Sequence, residues 1–140
     1  MKKFLVTLLF CVVTMFTASN TGLATNYPDY LYGNPAIKIA WGHMDVGAYV
    51  DSTSVTSLIY NPPYYKLAAN VIYYDARKNN VYKTETRYYE IDLAKQVVYI
   101  TGENGRRMGP IHYNRNDLPS SSLRPLQEFL IVWEKAYGNA

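Results

Sequence analysis

The sequence predicts an α+β fold: a single antiparallel β-sheet of about five to six strands, run as a meander, with a C-terminal α-helix packed on one face. Three observations carry this. Residues 67–75, 81–93 and 96–101 are rich in β-branched and aromatic residues and are separated only by short polar turns, the signature of successive antiparallel strands. Leu126, Leu130, Trp133 and Tyr137 recur at helical spacing near the C-terminus, an apolar stripe that needs a sheet face to cover it. The chain also holds 15 tyrosines, a residue that favours strands and coats a half-exposed pleated surface.

The elements follow in chain order. Residues 25–35 hold Asn26, Pro28, Asp29, Gly33, Asn34 and Pro35, turn and breaker residues that predict an extended lead-in. The folded domain is placed at residues 36–140. A first strand covers 36–41, with Ile37, Ile39 and Trp41 on one face by alternation. Residues 42–45 turn the chain, and a second strand runs over 46–50. The polar cluster Asp51, Ser52, Thr53, Ser54 reads as a turn, followed by a helical turn or edge strand at 55–60. Pro62 and Pro63 end that segment.

The 67–75 strand returns through Arg77, Lys78, Asn79 and Asn80, where the asparagines tolerate positive φ. Ala94 and Lys95 make the next turn. The segment from Gly102 to Pro110 reads as a mobile loop by composition, with a last short strand at 111–113. Ser120, Ser121 and Ser122 offer N-cap oxygens to the helix, Pro125 falls in its first turn, and Gly138 is its stop. Leu123, Phe129 and Ala136 widen the stripe, while Arg124, Gln127, Glu128, Glu134 and Lys135 take the opposite side. Ile131 lies among those polar residues without an evident reason.

The N-terminus bounds location. Lys2 and Lys3 precede an uncharged apolar run from Phe4 to Val13, and Gly22 and Ala24 suit the small-residue positions before a signal-peptidase cut. Residues 1–24 therefore read as a secretory signal, and the protein is expected to be extracytoplasmic: secreted, periplasmic or at the cell surface. About 20 apolar residues are needed to span a bilayer, so no integral span is expected after cleavage. Lipidation at Cys11 is disfavoured, because Phe10 is large and Cys11 lies inside the apolar run.

Cleavage takes Lys2 and Lys3 from the 14 basic residues and none of the 11 acids, leaving 12 against 11, a charge near +1. That makes no electrostatic case for nucleic acid. It also removes Cys11, the one cysteine. A domain of about 116 residues must then fold on its core alone, with no thiol nucleophile, disulfide or cysteine-bound metal.

Residues suited to catalysis do not assemble into a motif. His43 and His112 stand at no metal-ligand spacing, and Asp45 beside His43 reads as a solvated loop pair. There is no G-x-S-x-G, so a triad built on Ser54 and His112 has no support. Glu90 and Asp92 alternate onto one strand face about 7 Å apart, a separation that also suits paired glycosidase carboxylates; a solvated strand face is the simpler reading. Neither a catalytic residue nor a cofactor is expected. Four binding candidates remain: Arg106 and Arg107, able to grip a carboxylate or sulfate, and Tyr64 and Tyr65, aromatic candidates for partner contact after the diproline.

The strand ending in Trp41, the Tyr49-Val50-Asp51 segment with Ser52, Ser54 and Val55, the Val71-Ile72-Tyr73-Tyr74 strand, the Tyr88-Tyr89-Glu90-Ile91-Asp92 segment and the final strand resemble the surface-adhesin protein E family of exported bacterial proteins, over residues 38–137. The resemblance implies a sheet with a helix laid against it and a non-enzymatic adhesin contacting host matrix or envelope proteins. It also implies a cysteine soon after the Tyr-Glu-Ile-Asp segment, where this chain has Leu93. The expected partner is a protein, with a homodimer left open. A secreted inhibitor that inserts the loop from Gly102 to Pro110 into an enzyme cleft is the alternative.

Overall fold

The computed structural model describes residues 27–138; the signal-peptide reading of residues 1–24 lies outside them. Six antiparallel strands, β1 (Ile37–His43), β2 (Val46–Asn61), β3 (Tyr64–Asp75), β4 (Asn80–Asp92), β5 (Val97–Thr101) and β6 (Arg107–His112), form one sheet in sequential order. Among the described residues a single α-helix, α1 (Ser120–Tyr137), packs on one face. Among the described residues, no helix is long and apolar enough to cross a membrane.

The hairpin turns obey local chemistry. Asn79 adopts φ 52°, and the Asp75 carboxylate accepts the N–H groups of Arg77 and Lys78 at 2.9 and 3.1 Å. Met44 and Asp45, the two residues between β1 and β2, hold φ 47° and 67°, the mirror-image turn that matches strand twist.

β2 differs from the expectation of a turn at Asp51–Ser54 and a separate short element beyond it. The chain stays extended through a large bulge, with register passing from Asp51↔Asn70 to Thr56↔Ala68. Asp51 Oδ1 accepts the Thr53 N–H at 2.9 Å, and the Ser54 hydroxyl donates to the Asp51 carbonyl at 2.6 Å. Ser54 Oγ also accepts the Asn70 N–H at 2.8 Å, standing in for the missing ladder carbonyl. Short polar side chains that satisfy backbone groups make a bulge as readily as a turn. Ser54→Ala should leave the Asn70 N–H unpaired and cost about 1–3 kcal/mol, read as a lower urea midpoint with unchanged slope.

A second bulge, between Ile39 and Trp41, corrects the first strand. Ile37 and Ile39 face one side with Leu31, Tyr49 and Tyr74, while Trp41 turns to the helix side. One extra residue reverses strand alternation. The helix-side core joins Val50, Leu67, Val71, Tyr89, Val98 and Ile100 to Leu126, Phe129 and Val132.

Among the described residues, the opposite face is covered only over β1–β3. There the lead-in bridges Tyr30 to Lys38, passes through a 3-10 turn at Leu31–Gly33, and receives the Tyr49 hydroxyl on the Pro28 carbonyl at 2.8 Å. Burial pushes the Tyr49 phenol up to about 12. Gly42 and Gly47 are register partners beneath the Tyr27 ring. A Cβ at Gly42 would stand 2.3 Å from that ring, so this approach requires glycine.

The helix stripe is rotated from the expected one. Leu130 is 53% exposed, whereas Pro125, Leu126, Glu128, Phe129 and Val132 are buried and Ile131 packs against the core. Pro119 stands at the N-cap with no side-chain cap bond, so Ser120–Ser122 lie inside the helix and Pro125 is its sixth residue. Gly138 ends the helix at φ 78°. The segment expected to be a loop from Gly102 to Pro110 is loop only to Arg106; Arg107 begins β6, which pairs with β5 from Val97↔His112 to Thr101↔Arg107.

Candidate functional site

The β3–β6 half of the sheet carries a cleft on each face. β4 explains both: it pairs with β3 along its whole length but with β5 only from Tyr88 to Asp92.

On the face away from the helix, a cleft of about 370 Å³ is lined by Ile59, Tyr64, Tyr65, Lys66, Glu90, Ile91, Asp92, Lys95, Tyr99 and Arg107. Three of the four binding candidates meet here. Tyr64 is 54% exposed at the tip of the β2–β3 hairpin, beside exposed Leu58, Ile59 and Tyr60. Tyr65 also packs inward, edge-on to Trp133 and near Tyr60 and Tyr137. The Arg107 guanidinium stacks 3.7 Å from the Tyr99 centroid and pairs with Glu90 at 3.1 Å. Lys66 stands 5.6 Å over the Tyr88 ring.

Glu90 and Asp92 do share this face, as alternation requires. Glu90 faces Arg107, and Asp92 is buried with its Oδ1 accepting the Lys95 N–H at 3.1 Å. That bond shapes the β4–β5 turn.

On the helix face, a cleft of about 400 Å³ is lined by Tyr73, Tyr82, Lys83, Glu85, Arg87, Gly102, Asn104, Arg106 and Met108. Arg106, the fourth candidate, lies here, so the adjacent arginines serve opposite faces. A bulge in β4, with register stepping from Tyr73↔Lys83 to Tyr74↔Val81, makes Tyr82 the extra residue and brings its ring near Tyr73. The Glu103 carboxylate accepts the Thr86 N–H at 3.1 Å, anchoring the β5–β6 loop to the edge that β5 leaves uncovered.

Beneath this cleft lies a charged network. Arg87 bonds to Glu85 Oε1 at 2.8–3.0 Å and to the Tyr73 hydroxyl, and its Nε lies 3.4 Å from Glu128 Oε2. Tyr73 donates to Glu85 at 2.9 Å, Lys83 pairs with Glu85 at 2.8 Å, and Trp41 Nε1 donates to Glu128 Oε1 at 2.8 Å. Burial pushes the Glu128 carboxyl above its ordinary value, with Arg87 and Trp41 only partly offsetting it. Burial also opposes ionisation of Glu85, but Lys83, Tyr73 and Arg87 outweigh it and hold that carboxyl low. Burial pushes the Tyr73 and Tyr89 phenols up.

Sequence reasoning missed this network. It assigned Glu128 to the solvent side, yet Glu128 is 1% exposed. One signal was present: Glu85 and Arg87 alternate in phase with Tyr89 and Ile91, the buried face of β4.

His43 and His112 are exposed, and Asp45 pairs with Arg77 at 2.7 Å. No group of three or more metal-ligating side chains occurs among the described residues. Neither a family model, nor a curated protein, nor a solved structure matches the chain.

Proposed function

We propose that this chain is an exported, non-enzymatic binding module that engages a protein partner with the β2–β3 hairpin and the cleft beside it. The observation that carries the reading is the exposed pair Ile59 and Tyr64 at the hairpin tip, lining one cleft with the stacked Arg107–Tyr99 pair. Tyrosine and arginine are the residue types that anchor protein interfaces, and a polar rim is their usual setting. Lys66, Lys95 and Glu90 supply that rim. The resemblance to the surface-adhesin protein E family and the secretory reading of the N-terminus support an extracellular or envelope partner.

Binding of the purified protein to an array of host matrix and envelope proteins tests this. Ile59→Ser combined with Tyr64→Ser should weaken the leading interaction about tenfold or more. No binding above background, or an affinity indifferent to both substitutions, refutes the assignment.

A further inference from the structure

We propose that the helix-face cleft binds a small organic acid, its carboxylate, sulfate or phosphate held among Arg87, Lys83 and Arg106 while its apolar body lies against Tyr82. This site is separate from the hairpin face and does not depend on what binds there.

The lining brings three cations, Lys83, Arg87 and Arg106, around one carboxylate, Glu85. Glu85 divides its oxygens between Lys83 and Arg87. Glu128 lies below the guanidinium, on its Nε edge. Glu103, also near the loop, is not part of the lining, and its Oε1 takes the Thr86 N–H. The bonds of Arg87 run through Nε and Nη2; its Nη1 has no partner among the described residues. Arg106 makes no ion pair among the described residues, and its bonds there are backbone ones: its N–H donates to Asn104 Oδ1 at 3.0 Å and its carbonyl accepts the Gly102 N–H at 3.4 Å. The first of these leaves the Asn104 amide N–H groups free to donate. A multi-oxygen anion is the ligand chemistry that satisfies several forked donors at once.

The pre-organisation comes from below. Glu85, Glu128 and the Tyr73 hydroxyl hold the Arg87 guanidinium at the cleft floor, so little side-chain freedom remains to be lost on binding. Tyr82, more than half exposed, and Met108 give the cleft an apolar wall. A free inorganic ion would leave that wall unused, which favours an acid with a ring or hydrocarbon body.

Titration of the purified protein with sodium sulfate, acetate and benzoate at low ionic strength, followed by amide and arginine side-chain NMR, tests the proposal. Shifts should be confined to Tyr82, Lys83, Gly102, Asn104, Arg106 and the Arg87 side chain. Benzoate should bind severalfold more tightly than acetate, with Tyr82→Ala removing the difference. Arg106→Glu, at a loop position outside the core, should weaken benzoate binding about tenfold or more, whereas Arg115→Ala, which lines neither cleft, should leave it unchanged. Shifts scattered over the surface, absence of binding, or equal affinity in Arg106→Glu overturns the site.

Discussion

Replacing Glu128 with alanine is expected to cost about 3–5 kcal/mol, the usual penalty for breaking a buried ion pair. The side chain is 1% exposed, bonds to Trp41 Nε1 at 2.8 Å and faces Arg87 at 3.4 Å. Truncation strands the indole N–H and removes one of the two carboxylates that balance Arg87. Arg87→Met should be similarly damaging, because it leaves Glu85 and Glu128 without their shared cation. Urea unfolding of both variants provides the measurement, and losses below about 1 kcal/mol would refute the role assigned to the network.

The network also sets a pH dependence whose sign differs between its carboxylates. Burial raises the folded-state pKa of Glu128 above 4.5. Its favourable contribution is complete below that value, where both folded and unfolded forms are protonated. It is lost as pH rises through the folded pKa. Glu85 behaves oppositely: its lowered pKa contributes stability above 4.5 that is lost as pH falls through the folded value. Glu128→Gln keeps an acceptor for Trp41 but cannot ionise. Its stability relative to wild type should therefore improve as pH rises from 4.5 through the folded-state pKa of Glu128 and then level off. Parallel pH profiles for the two proteins would contradict this.

The second large effect is expected at Phe129. It is 4% exposed and stands 6.0–6.4 Å, centroid to centroid, from Tyr89, Tyr113 and Trp133. Phe129→Ala opens a cavity under the helix, at a cost of about 3–5 kcal/mol. Total stability is of order 5–15 kcal/mol for such a domain, and no cysteine occurs in the described residues to tie the helix down. Leu130→Ala, one residue on but 53% exposed, should change stability by no more than about 0.5 kcal/mol. Thermal unfolding of this pair reads the orientation of the helix directly; equal losses would mean that the stripe faces elsewhere.

Strand order and the helix were legible because their signals are local. Turn chemistry at Asn79 and Gly138 and the density of β-branched and aromatic residues in β3, β4 and β5 involve neighbours in the chain. The candidate site was legible only in part. Tyr64, Tyr65 and Arg107 were singled out by residue type and do meet in one cleft, but their neighbours Glu90, Lys95 and Tyr99 reach it from β4, the β4–β5 turn and β5. Arg106 was read together with Arg107, yet it lines the opposite face, because β6 begins between them and strand alternation separates adjacent side chains.

By itself, then, the sequence determined an antiparallel sheet closed by a C-terminal helix, since period and turn residues specify both over short stretches. The tertiary structure alone decided which side chains that sheet buries. Bulges at Ala40, within Asp51–Ser54 and at Tyr82 shift the two-residue period, and nothing in composition announces them. Whether a glutamate on the helix is solvated or buried depends on Trp41 and Arg87, one from β1 and the other from β4. A charge can be buried only where distant elements bring its partners to it.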